Sequence, residues 1–535
     1  MEFSASLAGL WLLFRWSRGP ALSPALQDPD GVFWTALLWG LGLYAALVLL
    51  QESVRIDGLR YFWLEDDAMV SMRYGARLAA GKGLTWTDGS RVQGYSNFLW
   101  TLAMALIHWA GSSKALASAW VLALNAACLA WLASAVRRLS LGMGASAMTA
   151  ALAGLACALS YDLMDGALSG LEMVAVSAVM AEALAQGLRA EREGRAWPWR
   201  TFALAGLLPL LRSDGALPAV LVLCLGLRRR PGAGRVLAAC LLALGPGLAQ
   251  ACFSHAYYGD WLPNTYYLKR DYWPGKYGDG ALKLAQALGR YPLVLAAALA
   301  ALGFRALRPW VATLAALALY CVWTGADYYT FLRFFAPGWP LFFALGFAAS
   351  DRLSFGRLGA WPALALLLFS ANTVWAFPTL LQSGWEGAQE RLRVALYLER
   401  NIPPDQSLAS AWAGTFFYFS GLPGVDLLGK CDPVVARSRP DPSLGGSGHN
   451  KLDLDRSLGL LKPDWVLLPA PSFSSADRAY LISPYDQRIA ADPRFMAACL
   501  PHLRQISDHW TLCHCVWAQA QKTPFQSKKS AKYAQ

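Results

Sequence analysis

The sequence predicts a polytopic α-helical membrane protein that carries an α/β domain at its C-terminal end. Of its 535 residues, 56% are hydrophobic and 15% are charged, against roughly 25% charged residues in soluble domains. Long apolar runs recur over residues 1–376, and short arginine-rich segments separate them. The mean hydropathy of +0.32 is modest for a chain embedded throughout, so we expect a membrane part at 1–376 and a soluble part after it.

About 11 apolar segments of the first part are predicted to be transmembrane helices. Several are shorter than the ~20 residues that an upright helix needs to cross a bilayer, so these either extend at their ends or enter the membrane only partway. The segments are 31–50, 114–136, 142–160, 171–188, 201–211, 216–227, 236–253, 292–307, 310–323, 334–350 and 358–376.

The placement of arginine predicts which side of the membrane each connection faces. Placing all the arginine-rich connections in the cytoplasm gives a consistent alternation of the spans. The N-terminus is then cytoplasmic, and the first outer loop at 51–113 and the C-terminal part are extracytoplasmic. The segment 95–110 is apolar enough to be a span, but counting it as one breaks the alternation. We therefore favour a helix that lies along the membrane surface.

Residues 377–522 are predicted to form an extracytoplasmic α/β domain, because short strand and helix patterns alternate there. Its cysteines are compatible with one or two disulfides in an oxidising compartment. Cys513-x-Cys515 is too sparse for a zinc site, which needs four well-spaced ligands. The basic tail at 523–535 is predicted to be disordered. The cysteines of this part are Cys431, Cys499, Cys513 and Cys515.

Polar and charged residues collect in the predicted outer loops rather than in the spans. The first loop carries three adjacent carboxylates, Glu65, Asp66 and Asp67, and acidic groups beside a bilayer are costly unless they have a function. A pore or carrier would place polar groups within its spans, and a nucleic-acid binder would need a basic polar face. The pattern therefore indicates a reaction at the outer membrane face and argues against nucleic acid as a partner.

Motifs in these loops resemble those of polytopic glycosyltransferases of the GT-C superfamily, which use a polyprenyl-phosphate sugar as donor. The resemblance is strongest to the branch that contains the mycobacterial terminal arabinofuranosyltransferase and its bacterial relatives. Each motif alone is weak, and the resemblance rests on their number and order over most of the chain. The motifs are Asp66-Asp67, Arg73-Tyr74, Gly81–Leu84, Gly94–Trp100, Ser169–Glu172, Arg212–Gly215, Tyr257–Lys269, Gly325–Asp327, Arg333-Phe334, Tyr418–Gly421, Asp426–Gly429, Asp432 and Gly448–Lys451.

The resemblance implies the GT-C fold and an enzyme that moves a sugar from polyprenyl phosphate to a cell-envelope glycan, lipid or protein acceptor on the outer face of the membrane. It also implies a multi-pass protein of the bacterial cytoplasmic (inner) membrane, with a periplasmic C-terminal domain. By the same resemblance, Asp66 is the first candidate for the base that takes the acceptor's hydroxyl proton, and Asp67 is the second. Neighbouring side chains point in different directions, so only one of the pair is expected to face the acceptor.

The remaining candidate residues are expected to bind substrate. Cations at the membrane surface would hold the phosphate, tyrosines would stack on sugar rings, and carboxylates would shape the sugar pocket. Structural explanations stay open for them, namely interfacial arginine, an aromatic belt and a Gly/Ser linker around His449. The candidates are Arg73, Tyr74, Asn97, Glu172, Arg212, Asp214, Tyr258, Asn264, Tyr266, Lys269, Asp327, Arg333, His449 and Lys451.

The pattern requires no cofactor, although oxygen ligands leave a divalent cation (Mg²⁺, Mn²⁺ or Ca²⁺) open. Two other function classes are also open. A transporter of lipid-linked saccharides would show charged spans and inverted halves, and the sequence shows neither. A non-enzymatic membrane assembly or flagellar-motor accessory protein would keep its function with Asp66→Asn and Asp67→Asn. Donor sugar, acceptor and linkage are not identified by the sequence.

Overall fold

The computed structural model describes residues 28–228, 231–271, 274–326, 329, 331–353, 385–469, 483–507 and 509–517. Its first part is helical, as predicted. Within these residues, four helices are long and apolar enough to cross a membrane: α1 (Pro29–Gln51), α4 (Lys114–Gly142), α7 (Met173–Arg192) and α10 (Ala233–Tyr258). The total of about 11 spans stays a prediction, and the predicted span 358–376 lies outside the described residues.

Two further apolar units are broken helices. α5 (Ala147–Ala158) and α6 (Tyr161–Leu168) meet at 44°. α12 (Lys276–Gly289) meets α13 (Pro292–Ala300) and the 3₁₀ turn after it at 101°. Such breaks are tolerated at membrane depth where protein or a watery cavity surrounds them.

Shorter helices occupy other apolar runs of the described residues. α8 (Trp199–Leu211) and α9 (Ala216–Leu227) are separated by a 3₁₀ turn at Ser213–Gly215, and α14 (Arg308–Thr324) and α15 (Trp339–Arg352) follow later. α15 packs against α4, α5 and α7. The helices approach closely because small residues line them, and a Cβ on Gly154 of α5 would lie 2.3 Å from the Ala133 carbonyl oxygen of α4.

The first outer loop begins with an antiparallel hairpin of β1 (Ser53–Ile56) and β2 (Leu59–Phe62). α2 (Asp66–Ala79) follows, and its first turn holds Asp66 and Asp67. Carboxylates are favourable at this position because the N-terminal end of a helix carries a partial positive charge. α3 (Phe98–Trp109) has 12 residues and rises about 18 Å, less than the ~30 Å of a bilayer core. Its length favours the predicted surface orientation.

The C-terminal part is an α/β domain, as predicted. Its sheet has the strand order β4-β3-β5-β7-β6. β3 is parallel to β4 and β5, while β7 is antiparallel to β5 and β6. The strands are β3 (Leu408–Ser410), β4 (Gly424–Asp426), β5 (Trp465–Pro469), β6 (Leu503–Gln505) and β7 (Trp510–His514).

Apart from α16, which has 17 residues, the described helices of this domain are short. Of the four cysteines, Cys499 and Cys515 form a disulfide, while Cys431 and Cys513 are buried thiols. The predicted tail 523–535 lies outside the described residues. The helices are α16 (Trp385–Asn401), α17 (Thr415–Ser420), α18 (Pro433–Arg437), α19 (Pro484–Ala490) and α20 (Pro493–Ala498).

Candidate active site

Asp66 lies at the first position of α2 and faces the C-terminal domain. Its carboxylate accepts hydrogen bonds from the backbone N–H groups of Gly414 (3.2 Å) and Thr415 (2.9 Å), and Asp66 is 3% exposed. A Cβ on Gly414 would lie 2.0 Å from the Asp66 carbonyl oxygen, so only glycine permits this approach. Asp66 therefore joins the first outer loop to the C-terminal domain.

Asp67 is turned about 100° further around the helix and faces two cations. Its Oδ2 lies 3.0 Å from Arg333 Nη2, and its Oδ1 lies 2.5 Å from Lys430 Nζ. Burial acts to raise the pKa of Asp67, but Lys430, Arg333 and Lys269 together hold it well below its usual range. Since 19% of its side chain is exposed, Asp67 is more accessible than Asp66.

The turn that carries Arg333 is strained. Leu332, directly before it, has φ +49° in the left-handed region, which a bulky side chain rarely adopts. Strain of this kind collects at functional sites and must be supported by the surrounding structure. Here Arg333 packs over the Tyr329 ring at 5.1 Å and contacts Asp67. The turn therefore directs a guanidinium towards the acidic end of α2.

Sequence reasoning missed Lys430, although the motif Asp426–Gly429 and Asp432 on either side of it were singled out. The Asp426 carboxylate accepts the N–H groups of Leu428 (3.1 Å), Gly429 (3.2 Å) and Cys431 (2.6 Å). Gly429 has φ +82°. These bonds fold a tight turn whose tip presents Lys430 to Asp67.

Asn264, a predicted substrate-binding residue, secures the same turn from outside. Its side-chain amide is shared among the backbone carbonyls of Gly429 (2.8 Å), Lys430 (3.1 Å) and Asp432 (3.2 Å). It begins α11 (Asn264–Lys269), whose last residue, Lys269, lies 5.8 Å from the centre of the Phe334 ring. One short helix thus positions two cations of the site, Lys430 indirectly and Lys269 directly.

Four more of the predicted residues form a largely buried network that also contacts Phe334. Arg212 donates to Glu172 Oε1 (2.8 Å) and to both oxygens of Asp214 (2.9 and 3.0 Å). Asn97 donates to Glu172 Oε2 at 2.7 Å. The Arg212 guanidinium lies 5.1 Å from the Phe334 ring centre. Arg212 is thus neutralised by two carboxylates and supports the segment that carries Arg333.

Backbone carbonyls, rather than Asp67, accept the hydrogen bonds donated by Arg73, Tyr74 and Tyr258. Each nitrogen of the Arg73 guanidinium donates to a backbone carbonyl: Nε to Trp86, Nη1 to Phe417 and Nη2 to Leu422. The Tyr74 hydroxyl donates to the Val92 carbonyl (2.6 Å), and that of Tyr258 donates to the Leu84 carbonyl (2.9 Å). These positions favour an architectural role.

The last predicted residues lie around α11. Lys451 is buried and donates to the carbonyls of Tyr267 (2.9 Å) and Ala436 (2.7 Å) and to Asp271 (2.6 Å). It fastens the loop after α11 to the C-terminal domain. Tyr266 is 46% exposed, and the His449 ring lies 6.4 Å from that of Tyr485. Asp327 lies outside the described residues.

Among the described residues, no group of three or more histidine, cysteine, aspartate or glutamate side chains is placed to hold a metal ion. Asp66 is engaged by backbone amides and Asp67 by Arg333 and Lys430. A divalent cation in this space would be repelled by those cations. The donor set at Asp66 and Asp67 therefore does not fit a metal.

The fold matches those of known membrane enzymes. ArnT from Cupriavidus metallidurans, solved bound to undecaprenyl phosphate, aligns with a TM-score of 0.56 at 14% identity, over 92% of this chain and 99% of that one. The archaeal oligosaccharyltransferase AglB from Archaeoglobus fulgidus, solved with an inhibitory peptide and a dolichol-phosphate, aligns with a TM-score of 0.52 at 13% identity, over 81% of this chain and 69% of that one. This chain has the GT-C fold.

The predicted GT-C architecture is thereby confirmed, while the arabinofuranosyltransferase branch stays a prediction. A domain family of unknown function, DUF8728, matches residues 381–522, which include β3 to β7 and Lys430. No curated protein matches the chain. The residue that completes the cation cluster around Asp67 thus comes from a domain of unassigned function.

Proposed function

We propose that this chain is an integral membrane glycosyltransferase that moves a sugar from a polyprenyl-phosphate donor to a cell-envelope glycan, lipid or protein acceptor at the outer face of the membrane. The observation that carries this is the convergence of Lys430, Arg333 and Lys269 on the partly exposed Asp67. Two solved proteins of the same fold were bound to undecaprenyl phosphate and dolichol-phosphate, which supports a lipid-phosphate ligand. The motif resemblance makes arabinose the first donor sugar to test.

The cations of the site suit a phosphodiester. Lys269, Arg333 and Lys430 all act on Asp67 and hold its pKa low. The phosphodiester of a polyprenyl-phosphate sugar carries a single negative charge, which these cations would attract. As the sugar leaves, the phosphate gains further negative charge, and cations already in place stabilise that change most. Binding and leaving-group stabilisation thus fall to the same three residues.

Asp67 is the better candidate for the base, which reverses the order that the resemblance suggested. Both oxygens of Asp66 accept backbone N–H groups, so its role is to join two domains. Asp67 is partly exposed and paired with side chains that a phosphate would attract. When the donor phosphate binds Lys430 and Arg333, the pKa of Asp67 rises because their charge is shared with the phosphate.

The step follows from these positions. The acceptor hydroxyl attacks the anomeric carbon, and the new C–O bond forms as the bond between that carbon and the phosphate oxygen breaks. The hydroxyl proton passes to the Asp67 carboxylate, as general base catalysis requires. The bonding electrons leave with the polyprenyl phosphate, whose oxygens are held by Lys430, Arg333 and Lys269. Arg212, Glu172 and Asn97 support the cationic turn without taking part.

The location is part of the proposal. The chain would lie in the bacterial inner membrane with a cytoplasmic N-terminus and with the DUF8728 domain in the periplasm. The arginine distribution supports this orientation, as does the Cys499–Cys515 disulfide, since disulfides persist in oxidising compartments.

The test uses purified full-length protein in lipid with a panel of polyprenyl-phosphate pentoses and hexoses, and measures release of polyprenyl phosphate. Asp67→Asn is expected to lower kcat by about 10²–10⁴-fold, the usual contribution of a general base. Asp455→Asn is the matched control, because Asp455 also forms an ion pair, with Arg494 at 2.7 Å, at an exposed position of the C-terminal domain. No turnover by the wild type with any donor, or full turnover by Asp67→Asn, would overturn the proposal.

A further inference from the structure

A groove of about 500 Å³ lies where the membrane part meets the C-terminal domain. The β1–β2 hairpin forms one wall with Gly58–Tyr61, and the start of α4 forms another with Ser113–Leu116. α16 contributes Glu399 and α17 contributes Phe419, whose ring packs edge-on against that of Tyr61 at 6.3 Å. The groove is separate from the Asp67 cluster, and none of the candidate residues of the active site lines it.

The groove carries more positive than negative charge. Arg60 and Lys114 line it, and the carboxylate among its lining residues, that of Glu399, lies 3.3 Å from Lys114. Arg55 stands directly opposite Arg60 in the hairpin register, so both side chains project from the same face of the ribbon. Like charges directly opposite one another destabilise a strand pair. Arg60 Nη1 donates to Ser53 Oγ at 3.1 Å on this face, and an anion beside the two guanidinium groups would relieve their repulsion.

An apolar stripe leads away from the groove along α4. Leu116 lines the groove and is 46% exposed, and Trp120 and Leu124 follow on the same face at 60% and 36% exposure. Residues four apart lie above one another on a helix. α4 is one of the candidate membrane spans. The stripe is therefore placed to contact the hydrocarbon chains of lipids, with the cationic groove at its outer end.

We propose that this groove binds an anionic membrane lipid, with its phosphate headgroup at Arg60 and Lys114 and its acyl chains along Leu116, Trp120 and Leu124. The charge selects an acidic headgroup, and the stripe selects an amphiphile over a soluble anion. The site needs no enzymatic step and is independent of the proposed function.

The bound lipid would stabilise the junction of the two parts of the chain. α17 connects the groove to the active site, since its first residue, Thr415, donates to Asp66 and Phe419 lines the groove. Four residues of helix span about 6 Å. A headgroup held between the hairpin, α4 and α17 would therefore keep α17 seated against Asp66.

The experiment measures lipid binding to the purified full-length chain by native mass spectrometry, with phosphatidylglycerol and phosphatidylcholine of identical acyl chains. The wild type is expected to bind phosphatidylglycerol roughly tenfold more tightly, the effect of one or two interfacial cations. Arg60→Glu is expected to abolish that preference. Leu116→Glu is expected to weaken binding of both lipids. Arg439→Glu makes the same charge change at an exposed position of the C-terminal domain and is expected to match the wild type.

A soluble competitor separates a lipid site from a simple anion site. Glycerol 3-phosphate at the lipid concentration carries at least the negative charge of the headgroup and has no acyl chains, so it is expected not to compete. Equal binding of the two lipids by the wild type, an unchanged preference in Arg60→Glu, or competition by glycerol 3-phosphate would each overturn the proposal. Circular dichroism and the elution volume of each variant identify a variant that fails to fold, in which case Leu116→Glu and the competitor still decide.

Discussion

Two clusters of charged side chains flank the ring of Phe334, and their charge balance differs. On one side Arg212 is bound by Glu172 and Asp214, with its side chain only 6% exposed. On the other side a single accessible carboxylate, Asp67, faces Lys430 and Arg333, with Lys269 near the same ring. In the first cluster two carboxylates bind one cation, whereas in the second three cations act on one accessible carboxylate.

This difference distinguishes the Arg212 cluster, which supports the fold, from the Asp67 cluster, which can bind an anionic ligand. A buried cation with two carboxylates has no charge left to offer a ligand, and its loss would leave two acids without a partner. The arrangement in which three cations share one accessible carboxylate is the less stable of the two, because the cations repel one another. An anionic ligand would reduce that repulsion. The two clusters should therefore respond in opposite ways to the removal of a cation, one in folding and the other in activity.

The largest effect is expected on the framework side. Arg212→Met leaves Glu172 and Asp214 without their counter-charge in a buried position. The free energy of unfolding should fall by about 3–5 kcal/mol, the usual result of removing one partner of a buried ion pair. Thermal unfolding of the purified protein in detergent measures this. A midpoint equal to that of the wild type would show that Arg212 is not a framework residue.

At Lys430 we expect a small effect on stability and a large effect on activity. Lys430→Met leaves Asp67 paired with Arg333, so the thermal midpoint should change little. Release of polyprenyl phosphate should slow by roughly 10²–10³-fold, as when one preorganised electrostatic group is removed from a site. Lys430→Arg keeps the charge and should restore part of the rate, while Arg439→Met is the matched loss of an exposed cation. A large loss of stability with unchanged kcat would place Lys430 in the framework instead.

The local features of the membrane part and of the C-terminal domain were predicted well from the sequence. Apolar runs separated by arginine predicted a helical membrane part, and alternating short strands and helices predicted the C-terminal domain, because both patterns depend on neighbouring residues. Asp66 and Asp67 were also placed together, since they share one helical turn. The mixed order of the sheet was beyond such reasoning, because β3 pairs with β5 across 57 or more residues.

The contacts that define the site were not predictable in this way. Lys430 is 363 residues from Asp67 in sequence, and Phe417 is 344 residues from Arg73. Nothing in the local pattern distinguishes a lysine that meets Asp67 from one that, like Lys451, donates to backbone carbonyls. Arg73 shows the same limit, since its motif was noticed but two of its three partners, Phe417 and Leu422, lie in the C-terminal domain.

The smallest expected effect concerns pH and tests whether the cations control Asp67. The pKa of Asp67 is depressed in the folded protein, so its ion pairs contribute stability that is fully present above the unfolded pKa, near 4, and is lost as the pH falls through the lower folded value. The thermal midpoints of the wild type and Asp67→Asn should therefore differ at pH 7. This difference should shrink as the pH falls below ~4. For an interaction of ~1 kcal/mol the difference is at most ~2 °C. Asp260→Asn, at an exposed pair, should show a smaller difference at pH 7. A difference that disappears already between pH 7 and 5 would mean that Lys430 and Arg333 do not hold Asp67 ionised, and that the two clusters around Phe334 are alike.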